Sequence, residues 1–374
     1  MKIHYLITSL ESGGAEAAVP RIVAVMRVAG HEVEVTACEP RDMAAAPLLD
    51  EAGIPYRLLF DSRRTKLATI EAFSLLIRPS LPDVIWTSLS AAGLVGMVTG
   101  AMLGIPVVSW KHSASMRLHT RLTRRLSHLW VTDSRSVADF LTRKLGMAEH
   151  TVMTWPLFEQ PTFERRPSTW DGNGTLRIGS VGRLHPVKNY DFLIDAMARL
   201  SQSRPNLVQR IHLTIVGDGP ERARLEQRIA RHGLQATIDL PGAVSDVRPF
   251  LQSWHLYVQP SRYEGMCLAA HEAMSAGLPV IVTPVGELRE SVRASGGGLF
   301  LEDDVVHSCA AAIEALMAHP ERLADMGQAG RAYTERTYGR SAFAQAGLAV
   351  ICRVEEIVAA TAGRSDLMRS LGRS

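Results

Sequence analysis

Residues 256–282 have the sequence LYVQPSRYEGMCLAAHEAMSAGLPVIV, and this stretch decides the fold. A short apolar run at 256–259 precedes a helix-forming segment at 267–276, and a second apolar run follows at 280–282. Strands that alternate with helices form parallel sheets with right-handed crossovers. The stretch therefore predicts one strand–helix–strand unit of an α/β domain.

The same alternation extends in both directions along the chain. Further C-terminal strands are predicted at Leu176–Val181, Ile211–Val216 and Thr237–Leu240, with helices at about 190–201, 220–232 and 303–318. The N-terminal half has apolar runs at 3–8, 33–37, 56–60, 84–88, 106–110 and 129–132, and a helical pattern over Ala15–Ala29. Both halves are therefore predicted to be α/β.

The chain is long enough for two such domains, since 374 residues exceed one ordinary hydrophobic core. The segment 155–175 contains three prolines and two glycines and suits a connection. We predict an N-terminal domain over 1–160, a linker at 161–175, a C-terminal domain over 176–340 and a final helix over 341–374. Whether this final helix crosses back to the N-terminal domain is left open. Two Rossmann-like domains would face a cleft at the carboxyl edges of their sheets.

Composition excludes several classes of protein. A net charge of +3 argues against a dedicated nucleic-acid binder, and 46% hydrophobic residues argue against disorder. The four cysteines lie far apart without a CxxC pair, so neither a disulfide framework nor a zinc cluster is predicted. With no signal-peptide pattern at the start, we expect a cytoplasmic protein.

The segment 84–110 has no charged residue and resembles a membrane span in composition. Apolar runs at its two ends flank a segment rich in glycine and serine. A helix over about Ala91–Leu103 would be roughly 20 Å long, which is shorter than the ~30 Å hydrocarbon core of a bilayer. We therefore predict a strand, a small-residue helix and a second strand.

Two glycine-containing turns lie between a strand and a helix, where backbone amides can bind a phosphate. In the first, Gly13-Gly14, a plain tight turn explains the glycines equally well, and the dinucleotide pattern GxGxxG is missing. The second contains Gly182, Arg183 and Lys188. Two cations beside a helix N-terminus suit a diphosphate, although such a pair also occurs on solvated surfaces, and we expect both side chains to be exposed.

Two carboxylates eight positions apart lie around the turn in the opening stretch. Glu264 is predicted in the loop and Glu272 on the helix that follows, so both can face one pocket. Either residue alone has an ordinary structural explanation. A carboxylate on a buried or half-buried helix nevertheless needs a partner.

Taken together, these motifs resemble the family-four glycosyltransferases with the GT-B fold. The resemblance is carried, in order, by the motifs Gly13-Gly14, Val-Gly-Arg…Lys-Asn at 181–189, Val-Gly-Asp-Gly-Pro at 216–220, Pro-Ser…Glu-Gly at 260–265, the two glutamates and Ala-Gly-Leu-Pro-Val-Ile at 276–281. It covers nearly the whole chain and is strongest between about 176 and 300. It implies a retaining enzyme that transfers sugar from a nucleoside-diphosphate sugar.

The resemblance implies a role for each matching residue. Arg183 and Lys188 would bind the diphosphate, Glu264 the hydroxyls of the transferred sugar, and Glu272 the ribose. His112, at the end of a predicted strand, would lie near the reacting sugar, although a lone histidine is more often structural. The residues implied to line the pocket for the nucleotide sugar are Gly13, Gly14, Gly182, Val244, Met266, Cys267 and Leu268. The family usually has Phe and Gly where this chain has Met266 and Cys267. This difference leaves the identity of the transferred sugar open.

The implied reaction is front-face substitution, in which cations stabilise the leaving diphosphate. Because no Asp-x-Asp motif occurs, we expect neither a cofactor nor an obligatory metal. The expected donor is a UDP-sugar, with GDP-mannose second, and the transferred group a hexose or N-acetylhexosamine. A nucleotide-sugar epimerase and a non-catalytic nucleotide-sugar-binding protein are the alternatives.

A basic segment of the N-terminal half suggests the acceptor. No acidic residue occurs between Asp83 and Asp133, and a helix is predicted over Met116–Trp130. Its apolar face would carry Leu118, Leu122, Leu126 and Leu129, and the other faces Arg117, Arg121, Arg124 and Arg125. Such a helix can lie on an anionic membrane surface or simply dock on the protein. A lipid-linked or glycan acceptor, and a place at the inner face of the membrane, are therefore expected.

Overall fold

A computed structural model describes residues 1–11, 13–114, 123–163, 165 and 167–371, with side chains to 363. The chain divides into two compact units. Unit 1 comprises Met1–Phe158 and Ser341–Ser374, and unit 2 comprises Glu159–Arg340. In the segment predicted as a connection, Trp155, Phe163 and Trp170 are all buried.

Unit 1 is built on a seven-stranded parallel sheet in the order β3-β2-β1-β4-β5-β6-β7. Its strands are β1 Lys2–Ile7, β2 Glu32–Ala37, β3 Tyr56–Leu58, β4 Val84–Ser88, β5 Val107–Lys111, β6 Leu129–Thr132 and β7 Val152–Thr154. The strand order reverses between β1 and β4. Open parallel sheets bind ligands outside the carboxyl ends of their strands at such a switch point.

Helices pack against this sheet. They are α1 Gly14–Ala17, α2 Val19–Val28, α3 Ala46–Glu51, α4 Lys66–Ile77, α5 Ser90–Leu103 and α6 Arg135–Asp139, with the long α15 Arg340–Leu371 returning from unit 2. Glycines let α5 lie close to the sheet: a β-carbon on Gly96 would meet Thr87 at 2.2 Å, and one on Gly100 would meet Val107 at 2.3 Å. The uncharged segment is thus strand, helix and strand, as predicted.

Unit 2 has a six-stranded parallel sheet in the order β10-β9-β8-β11-β12-β13. Its strands are β8 Leu176–Val181, β9 Ile211–Val216, β10 Ile238–Gly242, β11 Leu256–Gln259, β12 Val280–Val282 and β13 Gly298–Phe300. The helices are α7 Tyr190–Ser203, α8 Pro205–Val208, α9 Arg222–Arg231, α10 Arg248–Ser253, α11 Leu268–Ala276, α12 Leu288–Ser295, α13 Val305–Ala318 and α14 Glu321–Tyr338. Here the switch point lies between β8 and β11.

One predicted element is wrong at its end. The basic helix predicted over Met116–Trp130 does not reach Trp130, because Leu129–Thr132 form the buried strand β6 between β5 and β7. Before that strand, Arg124–Leu126 form a single 3-10 turn. Residues 115–122 lie outside the described part of the chain. Among the helices described, none is both long and apolar enough to cross a bilayer.

Candidate active site at the switch point of unit 2

The loops after β8 and β11 meet at the switch point of unit 2. The first runs from Gly182 through a 3-10 turn, Pro186–Lys188, to α7, and the second runs from Pro260 to α11. Arg262 joins them, since its backbone amide donates to the Val187 carbonyl at 2.9 Å and its Nε donates to Asn189 Oδ1 at 2.8 Å. The two sequence motifs are therefore parts of one surface.

The central contact of this surface is an ion pair between Lys188 and Glu264. Lys188 Nζ donates to Glu264 Oε1 at 2.8 Å, and the side chains are only 20% and 10% exposed. Burial by itself would lower the pKa of Lys188, but the neighbouring Cys267, Glu264 and Tyr190 side chains together outweigh that effect, and the pKa is raised. The expectation that both cations are exposed is thus wrong for Lys188. An ammonium has three N–H groups, so Lys188 can bind Glu264 and an anion together.

A buried hydrogen-bonded chain supports Glu264 from behind. Tyr257 donates to Gln259 Oε1 at 2.7 Å, Gln259 Nε2 donates to Ser261 Oγ at 2.8 Å, and Ser261 donates to Glu264 Oε1 at 2.6 Å. Sequence reasoning missed these residues. The alternate spacing of Tyr257 and Gln259 in β11 was the available signal, because alternate residues of a strand share one face, whereas Ser261 lies in the loop that follows. A fully satisfied buried network of this kind fixes the position of its last member.

The stem of Lys188 is positioned by a glycine. A β-carbon on Gly182 would lie 2.7 Å from the Tyr190 hydroxyl and 3.3 Å from Lys188 Cε. A side chain at 182 would clash with the Tyr190 hydroxyl and crowd the stem of Lys188. The glycine of this motif is therefore explained by space around the lysine.

Glu264 is followed by a turn that begins α11. Cys267 is the residue before the helix, with φ 58° and ψ 71°, a left-handed conformation that is uncommon for a residue other than glycine. Met266 and Cys267 are buried and Leu268 is half-buried. Burial raises the pKa of the Cys267 thiol, as does the neighbouring Glu264 carboxylate, so the thiol is neutral. The turn brings backbone amides and the Glu264 carboxylate to the same edge of the sheet.

Three other predicted residues of unit 2 are not members of this ion pair. Arg183 is exposed and forms no ion pair within the described chain, which agrees with the expectation for this cation. Glu272 is half-buried on α11, and Val244 is 38% exposed in the loop after β10. The described residues include no group of three His, Cys, Asp or Glu side chains that could hold a metal ion. Arg183 and Lys188 are the two predicted cations here, and both suit an anion.

The switch point of unit 1 carries a second set of predicted residues. Gly13 precedes α1, and a β-carbon there would meet Glu16 Oε2 at 2.3 Å, so the Glu16 carboxylate packs directly over the glycine turn. Glu16 is buried, and desolvation raises its pKa to about 7. Sequence reasoning gave Glu16 no role, since its burial depends on how α1 folds back on the turn.

His112 follows β5 at the same edge of unit 1. Its Nε2 lies 2.8 Å from Ser88 Oγ at the end of β4, and its Nδ1 lies 3.9 Å from the buried Asp133 carboxylate. Burial, followed by the charge of Lys111, lowers the pKa of His112 to about 3. The ring is therefore neutral at physiological pH. Of the predicted basic segment, Arg124 and Arg125 belong to the 3-10 turn, whereas Arg117 and Arg121 lie outside the described residues.

Comparison with known proteins agrees with this architecture. The family model for glycosyl transferases group 1 matches residues 163–333, and that for glycosyltransferase family 4 matches residues 12–158. The lipopolysaccharide core biosynthesis mannosyltransferase LpsB of Rhizobium meliloti is 30% identical over 60% of this chain and 66% of its own length.

Two further similar proteins cover more of the chain. A GDP-mannose-dependent alpha-mannosyltransferase of Mycolicibacterium smegmatis is 27% identical over 78% of this chain and 81% of its own. The crystal structure of Anabaena HepE in complex with UDP-glucose superposes with a TM-score of 0.79 at 20% identity, over 94% of this chain and 99% of that one. At that identity the superposition establishes the shared GT-B fold.

Proposed function

We propose a nucleotide-sugar donor and a lipid-linked acceptor for this chain, which belongs to the family-four glycosyltransferases of group 1. The observation that carries the proposal is the Lys188–Glu264 pair at the switch point of unit 2, with the exposed Arg183 in the same loop as Lys188. A cation held beside a carboxylate at a helix N-terminus suits a sugar diphosphate, which presents anionic oxygens next to hydroxyl groups.

Each residue of this surface then has a role in transfer. Lys188 and Arg183 bind the diphosphate and stabilise the charge that grows on it as the glycosidic bond breaks. Glu264 accepts hydrogen bonds from hydroxyls of the transferred sugar, and the amides of Met266–Leu268 line the sugar and phosphate pocket. Glu272 binds the ribose. The loop at Val244, together with Gly182, completes the nucleotide-binding part.

Transfer with retention of configuration is part of the proposal. The acceptor hydroxyl attacks the anomeric carbon on the face from which the diphosphate leaves, and a phosphate oxygen takes its proton. His112 is neutral, so near the sugar it offers a hydrogen bond rather than a positive charge. Proton NMR of the glycoside that is formed tests this: the donor's anomeric configuration is expected, and its inversion would contradict the proposal.

The countercharge for the diphosphate is proposed to come from the two cations, without an obligatory metal. Transfer should then be unchanged after EDTA treatment and extensive dialysis. A loss of activity that Mg²⁺ or Mn²⁺ restores would show that a metal takes part.

UDP-sugars are the favoured donors, and GDP-mannose is second. The UDP-glucose complex of HepE supports the first, and the GDP-mannose-dependent relative supports the second. Thermal unfolding with UDP, GDP and ADP at equal concentration separates them, because a ligand bound only by the native state raises its stability. Stabilisation by none of the three would contradict the donor site. Turnover of a donor sugar without any acceptor would instead indicate an epimerase.

The acceptor is proposed to be a membrane-embedded glycolipid or polyprenyl-diphosphate sugar that unit 1 meets. The 3-10 turn Arg124–Leu126 packs beside α5, where Met102 is 60% exposed, and Leu126 is 36% exposed. Basic and apolar side chains together favour an anionic membrane surface, and each basic residue near it is worth about 1 kcal/mol.

Liposome co-sedimentation at low and high salt tests the membrane proposal. The wild type should bind anionic but not neutral vesicles, and binding should fall with salt because charges are screened. A variant with Arg117, Arg121, Arg124 and Arg125 changed to Gln should not bind. Equal binding by this variant, or none by the wild type at low salt, would make a soluble glycan acceptor the better proposal.

A further inference from the structure

A second buried network lies behind the turn 264–267, and the function proposed above does not use it. Its first member is His271 on α11, which is fully buried. His271 Nδ1 lies 3.0 Å from the carbonyl oxygen of Cys267, and its Nε2 lies 2.8 Å from Ser291 Oγ on α12. Because a carbonyl only accepts, Nδ1 carries the proton and Nε2 accepts from the Ser291 hydroxyl.

The network continues to α14 and returns to the turn. The Tyr338 hydroxyl donates to Glu287 Oε1 at 3.4 Å and lies 3.4 Å from Ser291 Oγ, where it makes a contact rather than a hydrogen bond because each hydroxyl has already given its one proton. The backbone amide of Glu287 in turn donates to the carbonyl of Gly265 at 2.9 Å. The carbonyls of Gly265 and Cys267, two residues apart in the turn, thus each accept a hydrogen bond from a residue of one buried cluster, Glu287 and His271.

The turn needs such support. Cys267 has a left-handed backbone conformation, and strain of this kind persists only where the surroundings fix it. Ser291, Tyr338 and Glu287 are each at most 4% exposed, so water does not compete for their hydrogen bonds. The ring of His271 also packs edge-on against that of Tyr338 at 5.2 Å, which fixes its orientation.

We propose that His271 is a positioning residue that holds the turn 264–267 in the conformation that binds the nucleotide sugar. It does not touch the substrate. By holding the Cys267 carbonyl, it fixes the orientation of the backbone amides that follow Glu264. The inference rests on the proposed donor site for its functional consequence. Its structural part, the ordering of the turn, is independent of that function.

The chain offers a matched control in His255. It is also buried in unit 2, and its Nδ1 accepts from the Arg177 amide at 3.1 Å at the amino end of β8, opposite the turn. Burial lowers the pKa of both histidines to about 4, so both are neutral. His271→Ala and His255→Ala therefore remove equivalent side chains at opposite edges of the sheet. Asparagine at 271 can still donate to the Cys267 carbonyl and serves as the conservative variant.

The first measurement is amide hydrogen exchange of the full chain by mass spectrometry, below the unfolding temperature of every variant. His271→Ala and Ser291→Ala should each speed exchange in peptides covering 264–270 at least tenfold. His271→Asn should exchange near the wild-type rate, and His255→Ala should loosen only peptides around 176–180. Unchanged protection of 264–270 in His271→Ala, or equal loosening there by His255→Ala, would overturn the proposal.

The second measurement is calorimetric affinity for UDP and GDP. His271→Ala should bind the nucleotide that the wild type prefers at least tenfold more weakly than the wild type does. The affinities of His255→Ala and His271→Asn should stay within threefold of the wild-type value. Equal affinity in His271→Ala despite a loosened turn would overturn the link to binding. If the wild type binds neither nucleotide, the proposed function fails, and the exchange experiment still decides whether His271 orders the turn.

Discussion

Lys188→Ala tests the two roles assigned to this lysine, because it removes both an internal ion pair and a countercharge for the diphosphate. Breaking a fully buried pair costs about 3–5 kcal/mol of unfolding free energy. Both partners here retain some exposure, 20% and 10%, and Ser261 still donates to Glu264 in the variant. We therefore expect a loss of about 2 kcal/mol in the free energy of unfolding.

A double-mutant cycle isolates the pair. Glu264→Gln alone leaves Lys188 beside a neutral partner, so Lys188→Ala combined with Glu264→Gln should cost less than the two single changes together. The coupling should be about 1–2 kcal/mol, as for other residues in contact. Arg183→Ala is the control, because an exposed cation without an ion pair among the described residues should change stability by no more than about 0.5 kcal/mol.

Urea unfolding measures the stabilities, and titration calorimetry with nucleoside diphosphate measures binding. Lys188→Ala should weaken both, whereas Arg183→Ala should weaken binding alone. A Lys188→Ala protein as stable as the wild type, or additive single-mutant costs, would refute the claim that Lys188 and Glu264 form a partly buried pair.

Three further predictions follow from other contacts. Glu264→Gln should lower transfer while sparing affinity for free nucleoside diphosphate, and Glu272→Gln should weaken that affinity; equal affinity losses in calorimetry would mean that the two roles are wrongly assigned. Glu16 has a pKa of about 7 when folded, above the ordinary carboxyl value, so its stabilising contribution is present at low pH and is lost as the pH rises through 7. The free energy of unfolding of Glu16→Gln, measured in urea relative to that of the wild type, should thus rise by about 2 kcal/mol between pH 5 and pH 8. If the difference between the two proteins does not change with pH, the burial of this carboxylate is contradicted. Gly286→Ala places a β-carbon 2.3 Å from the Gly265 carbonyl at a left-handed φ of 55°, so it should displace the turn and reduce transfer at least tenfold, whereas normal kinetics would show that the turn adapts.

Local sequence patterns predicted most of the fold, because the central strands are apolar runs between recognisable helices. The strands β7 and β13 were missed. Both have three half-buried residues at a sheet edge, which produces little hydrophobic signal. Strand β10 also begins one residue later and ends two residues later than predicted, since a bulge after Asp239 extends its pairing to Gly242.

The sequence named Lys188 and Glu264 as candidates but not the contact between them or the buried residues behind them. The motifs placed Lys188 and Glu264 after neighbouring strands, yet their pairing joins positions 76 residues apart and depends on the register of the sheet. The same applies to His271, which the pattern of α11 leaves as one of three polar residues on a small-residue helix. Only the packing of α12 beside it turns that residue into part of a network.

The central claim is that the switch point of unit 2 binds a diphosphate, and Arg183 tests it most directly because removing this exposed cation leaves the fold intact. The measurement is calorimetric affinity of wild type and Arg183→Ala for the nucleoside diphosphate and for its nucleoside, which lacks phosphate. The account predicts at least tenfold weaker binding of the diphosphate by the variant and equal binding of the nucleoside by both proteins. Equal diphosphate affinity in the two proteins, or a parallel loss for the nucleoside, would contradict it.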